Sequence, residues 1–147
     1  MSKINATIRY AGDDFYVVES HGGHAQVLET NGKRGRAVTP VELLLLALGG
    51  CTGSDVVAAL QKKRQTIVGY RAEITGERRE EAPRSFRTIH VHHVITGHNV
   101  SERAVSQAIE LSDTKYCSVA ATLRPTVQIS TSFEIIQAPE AAEAAGA

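Results

Sequence analysis

Cys51 and Cys117 are the two cysteines in a chain of 147 residues, and neither is needed to hold a fold together. A chain of this length buries roughly 68–70% of its unfolded surface, enough for a core without a disulfide framework. In a reducing compartment two spare thiols stay free, bind metal or cycle through oxidised forms. Cys51 directly follows Gly49-Gly50, well inside a strongly apolar segment. Each glycine costs a helix roughly 1 kcal/mol relative to alanine. Close packing of another element, or access of a small ligand to the sulfur, would offset that cost. The residue types leave two readings of Cys51 open, a small buried hydrophobe or a reactive thiol. Cys117 follows Ser112-Asp113-Thr114-Lys115, a capping pattern that sets it near the start of a short helix, where the thiolate is favoured over the thiol.

Other residues invite a chemical role and have a local alternative. His90-Val91-His92-His93 on a strand puts His90 and His92 on one face and His93 on the other. Neither these histidines nor the cysteines show the tight CxxC-like or HxxxH-like spacing of structural zinc sites. They read as a solvated sheet face beside Arg71, Glu73 and Glu77, and no metal or other cofactor is expected. Glu42 lies nine residues before Cys51, and nine steps of ~100° carry it to the opposite side of an ideal helix, so its local reading is a helix cap. Arg34 and Arg36 sit in the glycine-rich basic loop Thr30–Arg36. They are either solvated or placed to reach a thiolate across a dimer. Glu42 and Arg36 are thus the candidate orienting or acid–base groups beside the thiol pair.

The elements that must position these residues follow from patterning. Residues 3–10 and 14–19 alternate around Ala11-Gly12-Asp13 as a hairpin, with a third short strand near 26–29. Thr39-Pro40-Val41-Glu42 opens a helix with an N-cap, a proline at the first helical position and a capping-box glutamate. That helix is expected to run to Lys63 or Arg64. Its first turns, Leu43–Leu48, are apolar on all sides, so protein must surround them. One layer of sheet covers one face only, and a second subunit is the natural cover for the rest. Residues 67–77 and 88–97 form a second strand pair. Helices follow from Ser101 and from Ser112 to about Leu123, where Pro125 ends them, and residues 126–136 form a last strand. The expected fold class is α+β: antiparallel sheets packed around a long buried central helix, in an intertwined homodimer. Residues 1–137 form its single domain, and the alanine-rich segment 138–147 is a fraying tail.

Composition removes several function classes. Sixteen basic residues balance sixteen acidic ones and there are seven aromatics, which argues against a nucleic-acid surface and against an anionic membrane partner. The first residues alternate and form no apolar leader, and the Leu43–Leu48 run falls far short of the ~20 residues that cross a bilayer. A cytoplasmic protein is expected.

Two stretches, Thr39–Cys51 and Leu111–Val119, resemble the OsmC/Ohr family of organic hydroperoxide reductases, and with Glu77–Pro83 they are most similar to its YhfA-like branch. The likeness runs from about residue 3 to 136. It implies a homodimer with two sites at the subunit interface, Cys51 as the thiol that attacks the peroxide, and Cys117 as the thiol that resolves the product as a disulfide. A thiolate displaces an alcohol from the O–O bond, a neighbouring thiol condenses with the resulting sulfenic acid, and an external thiol or dithiol restores the pair. The pattern departs at one position. Peroxidase members of the family place a glutamate directly after the proline of the helix opening and pair it with an activating arginine, whereas Val41 stands here. That departure keeps a second reading open: a dimeric binding protein for an apolar or sulfur-containing small ligand, with little turnover.

Overall fold

Alternating apolar and polar residues at the start of the chain build a three-stranded antiparallel meander, β1 (Ala6–Gly12), β2 (Phe15–Ser20) and β3 (Ala25–Glu29). The computed structural model describes residues 2–139, and the chain divides into two compact units, Met1–Leu44 and Leu45–Ala147. The meander belongs to the first. Its β1–β2 turn needs left-handed backbone at Gly12 (φ 104°) and Asp13 (φ 49°), a conformation glycine and aspartate tolerate best. Beyond β3 the chain returns to pair Leu28 with Val38. Between them lies the basic loop, organised by a fully buried carboxylate: Glu29 accepts the backbone N–H groups of Arg34 at 2.9 Å and Arg36 at 3.2 Å. Such charge-assisted bonds offset the cost of burying the carboxylate.

The capping box forms as expected. Thr39 N–H donates to Glu42 Oε2 at 2.8 Å and Glu42 N–H donates to Thr39 Oγ1 at 3.3 Å, opening helix α1 (Pro40–Lys62). In the second unit α1 buries one side only, with Leu48, Gly49, Thr52, Gly53, Val56 and Leu60 inward. Two of its glycines have packing reasons. A Cβ at Gly49 would run into Ile74, and one at Gly53 would sit 2.7 Å from the Tyr70 ring, while Gly50 faces open space. Within one chain the other side of the helix is left bare, with Leu44 43% and Leu46 59% exposed. By length and composition α1 would also reach across a bilayer, but its inward side is packed on protein.

A second sheet, of order β4-β5-β6, combines β4 (Thr66–Arg78), β5 (Phe86–His98) and β6 (Gln128–Gln137). The β4–β5 pair is antiparallel, but β6 runs parallel to β5, with Ile89 opposite Ile129 and Ile95 opposite Ile135. This corrects the expectation of antiparallel sheets. Helices α2 (Glu102–Leu111) and α3 (Ser118–Leu123), with a π-helical turn Ser112–Tyr116 between them, form a crossover that brings the chain back in the same direction. Val56, Leu60, Ile95, Val105, Ala108 and Ile109 make the core between α1, β5 and α2. Of the expected tail, Ala138 donates its N–H to Gly97 O at 2.8 Å, and residues 140–147 lie outside the described residues.

Candidate functional site

Cys51 stands on α1, one turn before Asp55, because residues four apart share a helix face. Cys117 comes from the middle of the crossover, between the π-helical turn and α3. It does not lie in a first helical turn. Helix α2 continues into the π-helical turn, Cys117 N–H closes that turn on Ser112 O at 2.9 Å, and Cys117 itself caps α3, its Sγ accepting the Ala120 N–H at 3.3 Å. The two sulfurs and a carboxylate oxygen of Asp55 all lie within 4.8 Å of one another. Both cysteines are free, Cys51 half-buried and Cys117 only 4% exposed. Among the described residues this is the one group of three histidine, cysteine or acidic side chains that converges so closely, and no histidine belongs to it. Its chemistry is that of two thiols and a carboxylate.

Ser112 ties the group together. Its Oγ lies 2.9 Å from Asp55 Oδ2 and 3.0 Å from Thr52 Oγ1. A hydroxyl has one proton and a carboxylate only accepts, so Ser112 donates to Asp55 and accepts from Thr52. The π-helical turn, often found at functional sites, is what delivers both Ser112 and Cys117. Asp55 and Ser112 were not singled out for chemistry from the sequence. The four-residue spacing from Cys51 to Asp55 was the available signal.

Burial pushes the Cys117 thiol up to about 11, and Cys51 as hydrogen-bond partner and neighbouring charge pushes the same way, against the lowering effect of the Ala120 and Val119 N–H groups. The expectation that a helix start would favour the Cys117 thiolate is thus overturned: loss of solvent outweighs the cap. A cavity of about 390 Å³ opens beside the site, with Asp55 and Ser112 at its wall, Ala58, Ala59 and Leu111 as its apolar side, and Lys62 at its edge. A larger depression of about 790 Å³ along the charged β4–β5 connection holds neither thiol.

The remaining candidates serve locally. Glu42 closes its capping box. Arg34 bonds Asp13 at 3.1 Å and stacks over Phe15, while Arg36 is held through its backbone by Glu29. His90 bonds Ser130 and Ser132 at 2.7 Å each, and His92 bonds Ser132 at 2.7 Å and faces Glu134 at 3.4 Å. His93 is fully buried against the Tyr70 hydroxyl at 2.6 Å, with no partner on Nε2.

A family model for OsmC-like proteins matches residues 31–132. Protein YhfA of Escherichia coli K12 is 41% identical over 135 residues, 92% of this chain and all of that protein. This chain belongs to the OsmC-like family. Its fold recurs in a hypothetical protein of Aquifex aeolicus VF5, at 29% identity and a TM-score of 0.85 over 95% of this chain and all of that one. It recurs also in an organic hydroperoxide resistance protein OsmC of Legionella pneumophila, at 15% identity and a TM-score of 0.67 over 91% of this chain and 98% of that one.

Proposed function

We propose that this OsmC-like protein is a thiol-dependent peroxidase that reduces organic hydroperoxides through Cys51 and Cys117, in defence against oxidative stress in the cytoplasm. The observation that carries the reading is the pair itself: one partly accessible sulfur and one buried, protonated sulfur within 4.8 Å. The Cys51 thiolate attacks the hydroperoxide, the O–O bond breaks, an alcohol leaves and a sulfenic acid remains. Cys117 then displaces the hydroxyl, water leaves, and a disulfide forms. An S–S bond of ~2.05 Å needs only a small approach of the two sulfurs. An external thiol or dithiol reduces that disulfide by exchange.

The working form in this proposal is a homodimer. A second copy would cover the exposed leucines of α1, and Ile8 and Tyr10, 65% and 66% exposed on β1, are further apolar surface for it to bury. Arg36 is kept as the residue that would orient the peroxide in that dimer. Glu42 remains a candidate for the same role, although its carboxylate is engaged in the cap.

Purified protein should consume cumene hydroperoxide with dithiothreitol as reductant, and Cys51→Ser should abolish this; equal rates in the two proteins would sink the proposal. Val41 and the 390 Å³ cavity favour a second reading, a binding protein for an apolar or sulfur-containing small ligand. It predicts a ligand retained in native mass spectrometry with both thiols inert to peroxide.

A further inference from the structure

We propose that Asp55 is the proton acceptor of the disulfide-forming step: it takes the proton from the Cys117 thiol as that sulfur attacks Cys51, and passes it to the departing hydroxyl. The inference rests on the peroxidase reading for its sulfenic acid. The proton transfer itself is required for any attack by Cys117 on an oxidised Cys51.

The need is set by burial. Burial, the largest cause, pushes the Cys117 thiol up to about 11, so at neutral pH it is held as the thiol and attack by a free thiolate is slow. A base at hand removes the proton as the S–S bond forms and no separate thiolate has to accumulate. Asp55 is that base by position. One of its oxygens lies within 4.8 Å of both sulfurs, and Ser112 holds the carboxylate by donating to Oδ2, which leaves Oδ1 with lone pairs to accept. The other ionisable groups nearby do not compete. Lys62, Lys63 and Tyr116 line the neighbouring cavity and are not part of the convergent group, and Asp113 of the π-helical turn is bonded to Arg124 at the end of α3. No histidine joins the group.

The step balances. The Cys117 S–H proton moves to Asp55, the Cys117–Cys51 bond forms, and the S–O bond of the sulfenic acid breaks. The Cys117 sulfur is oxidised and the sulfenic sulfur reduced, and the leaving hydroxide collects the proton from Asp55 as water. The carboxylate is regenerated.

Rapid mixing of the full-length reduced protein with one equivalent of cumene hydroperoxide, read by trapping of the sulfenic acid with dimedone, gives the closure rate. A second arm needs no peroxidase activity: Ellman's reagent places thionitrobenzoate on Cys51, and attack by Cys117 releases a second thionitrobenzoate. Asp55→Asn should slow closure at least tenfold at pH 7 in both arms. Its rate should climb with pH as the Cys117 thiolate forms, whereas wild type stays flat around neutral pH. Asp55→Glu should recover part of the rate, which separates loss of the base from loss of the fold. Closure of Asp55→Asn at the wild-type rate with the wild-type pH profile would overturn the assignment. A silent hydroperoxide arm with an Asp55-dependent Ellman arm would refute the peroxidase reading and the hand-over to hydroxide, and sustain proton removal from Cys117 by Asp55.

Discussion

Cys117 shows how one residue's chemistry is decided by where the chain puts it. Its local pattern promised a stabilised thiolate, and the fold supplies burial that outweighs the cap. If Cys117 is the resolving thiol, Cys117→Ser should leave sulfenic acid on Cys51 long-lived and trappable, while turnover with a dithiol falls well below wild type. Disappearance of the dimedone adduct as fast as in wild type would contradict that role. The thiol pair was legible in the sequence because cysteine is scarce and chemically distinct. Asp55 was less so, because one acidic residue on a helix has a solvated reading by default until a second element closes on it. Glu42 is the opposite case: its cap was read from four residues and formed. Glu42→Ala should cost about 1 kcal/mol, measured by urea unfolding.

At the scale of elements, contacts along α1 and the direction of β6 set the geometry. Gly53 lets α1 approach β4, and Gly53→Ala should destabilise the protein by about 1–3 kcal/mol because the Tyr70 ring stands 2.7 Å from the new methyl. Unchanged urea midpoints would show that the ring moves freely. Tyr70 also bonds His93 at 2.6 Å; burial first, then the charges of His92 and His90, hold His93 down at about 4, from an ordinary 6.5. The unfolded chain therefore binds a proton that the folded chain refuses. Stability from this group is full above pH 6.5 and is lost as pH falls from 6.5 to 4, by on the order of 3 kcal/mol. Stability curves of wild type and His93→Gln should converge over that window. Strand and helix positions followed from alternation and capping, but the parallel direction of β6 did not. A strand's side-chain period is the same in either direction, and only the crossover through α2, the π-helical turn and α3 settles it.

For the whole molecule the apolar surface is the informative quantity. Leu46 at 59% and Ile8 at 65% exposure are expensive to leave in water, at about 25 cal/mol per Å². The same physics applied to the apolar run Leu43–Leu48 calls for a second subunit. Sedimentation should show a dimer, and Leu46→Asp should dissociate it or lower its thermal midpoint; a wild-type monomer at micromolar concentration would refute this assembly. The central claim is that Cys51 and Cys117 form one redox couple driven by hydroperoxide. It is tested most directly by adding one equivalent of cumene hydroperoxide to reduced protein, then counting cumyl alcohol against peptides that carry the Cys51–Cys117 disulfide. The account predicts one alcohol per disulfide, with neither product in Cys51→Ser. Alcohol without the disulfide, or no alcohol from wild type, would contradict it.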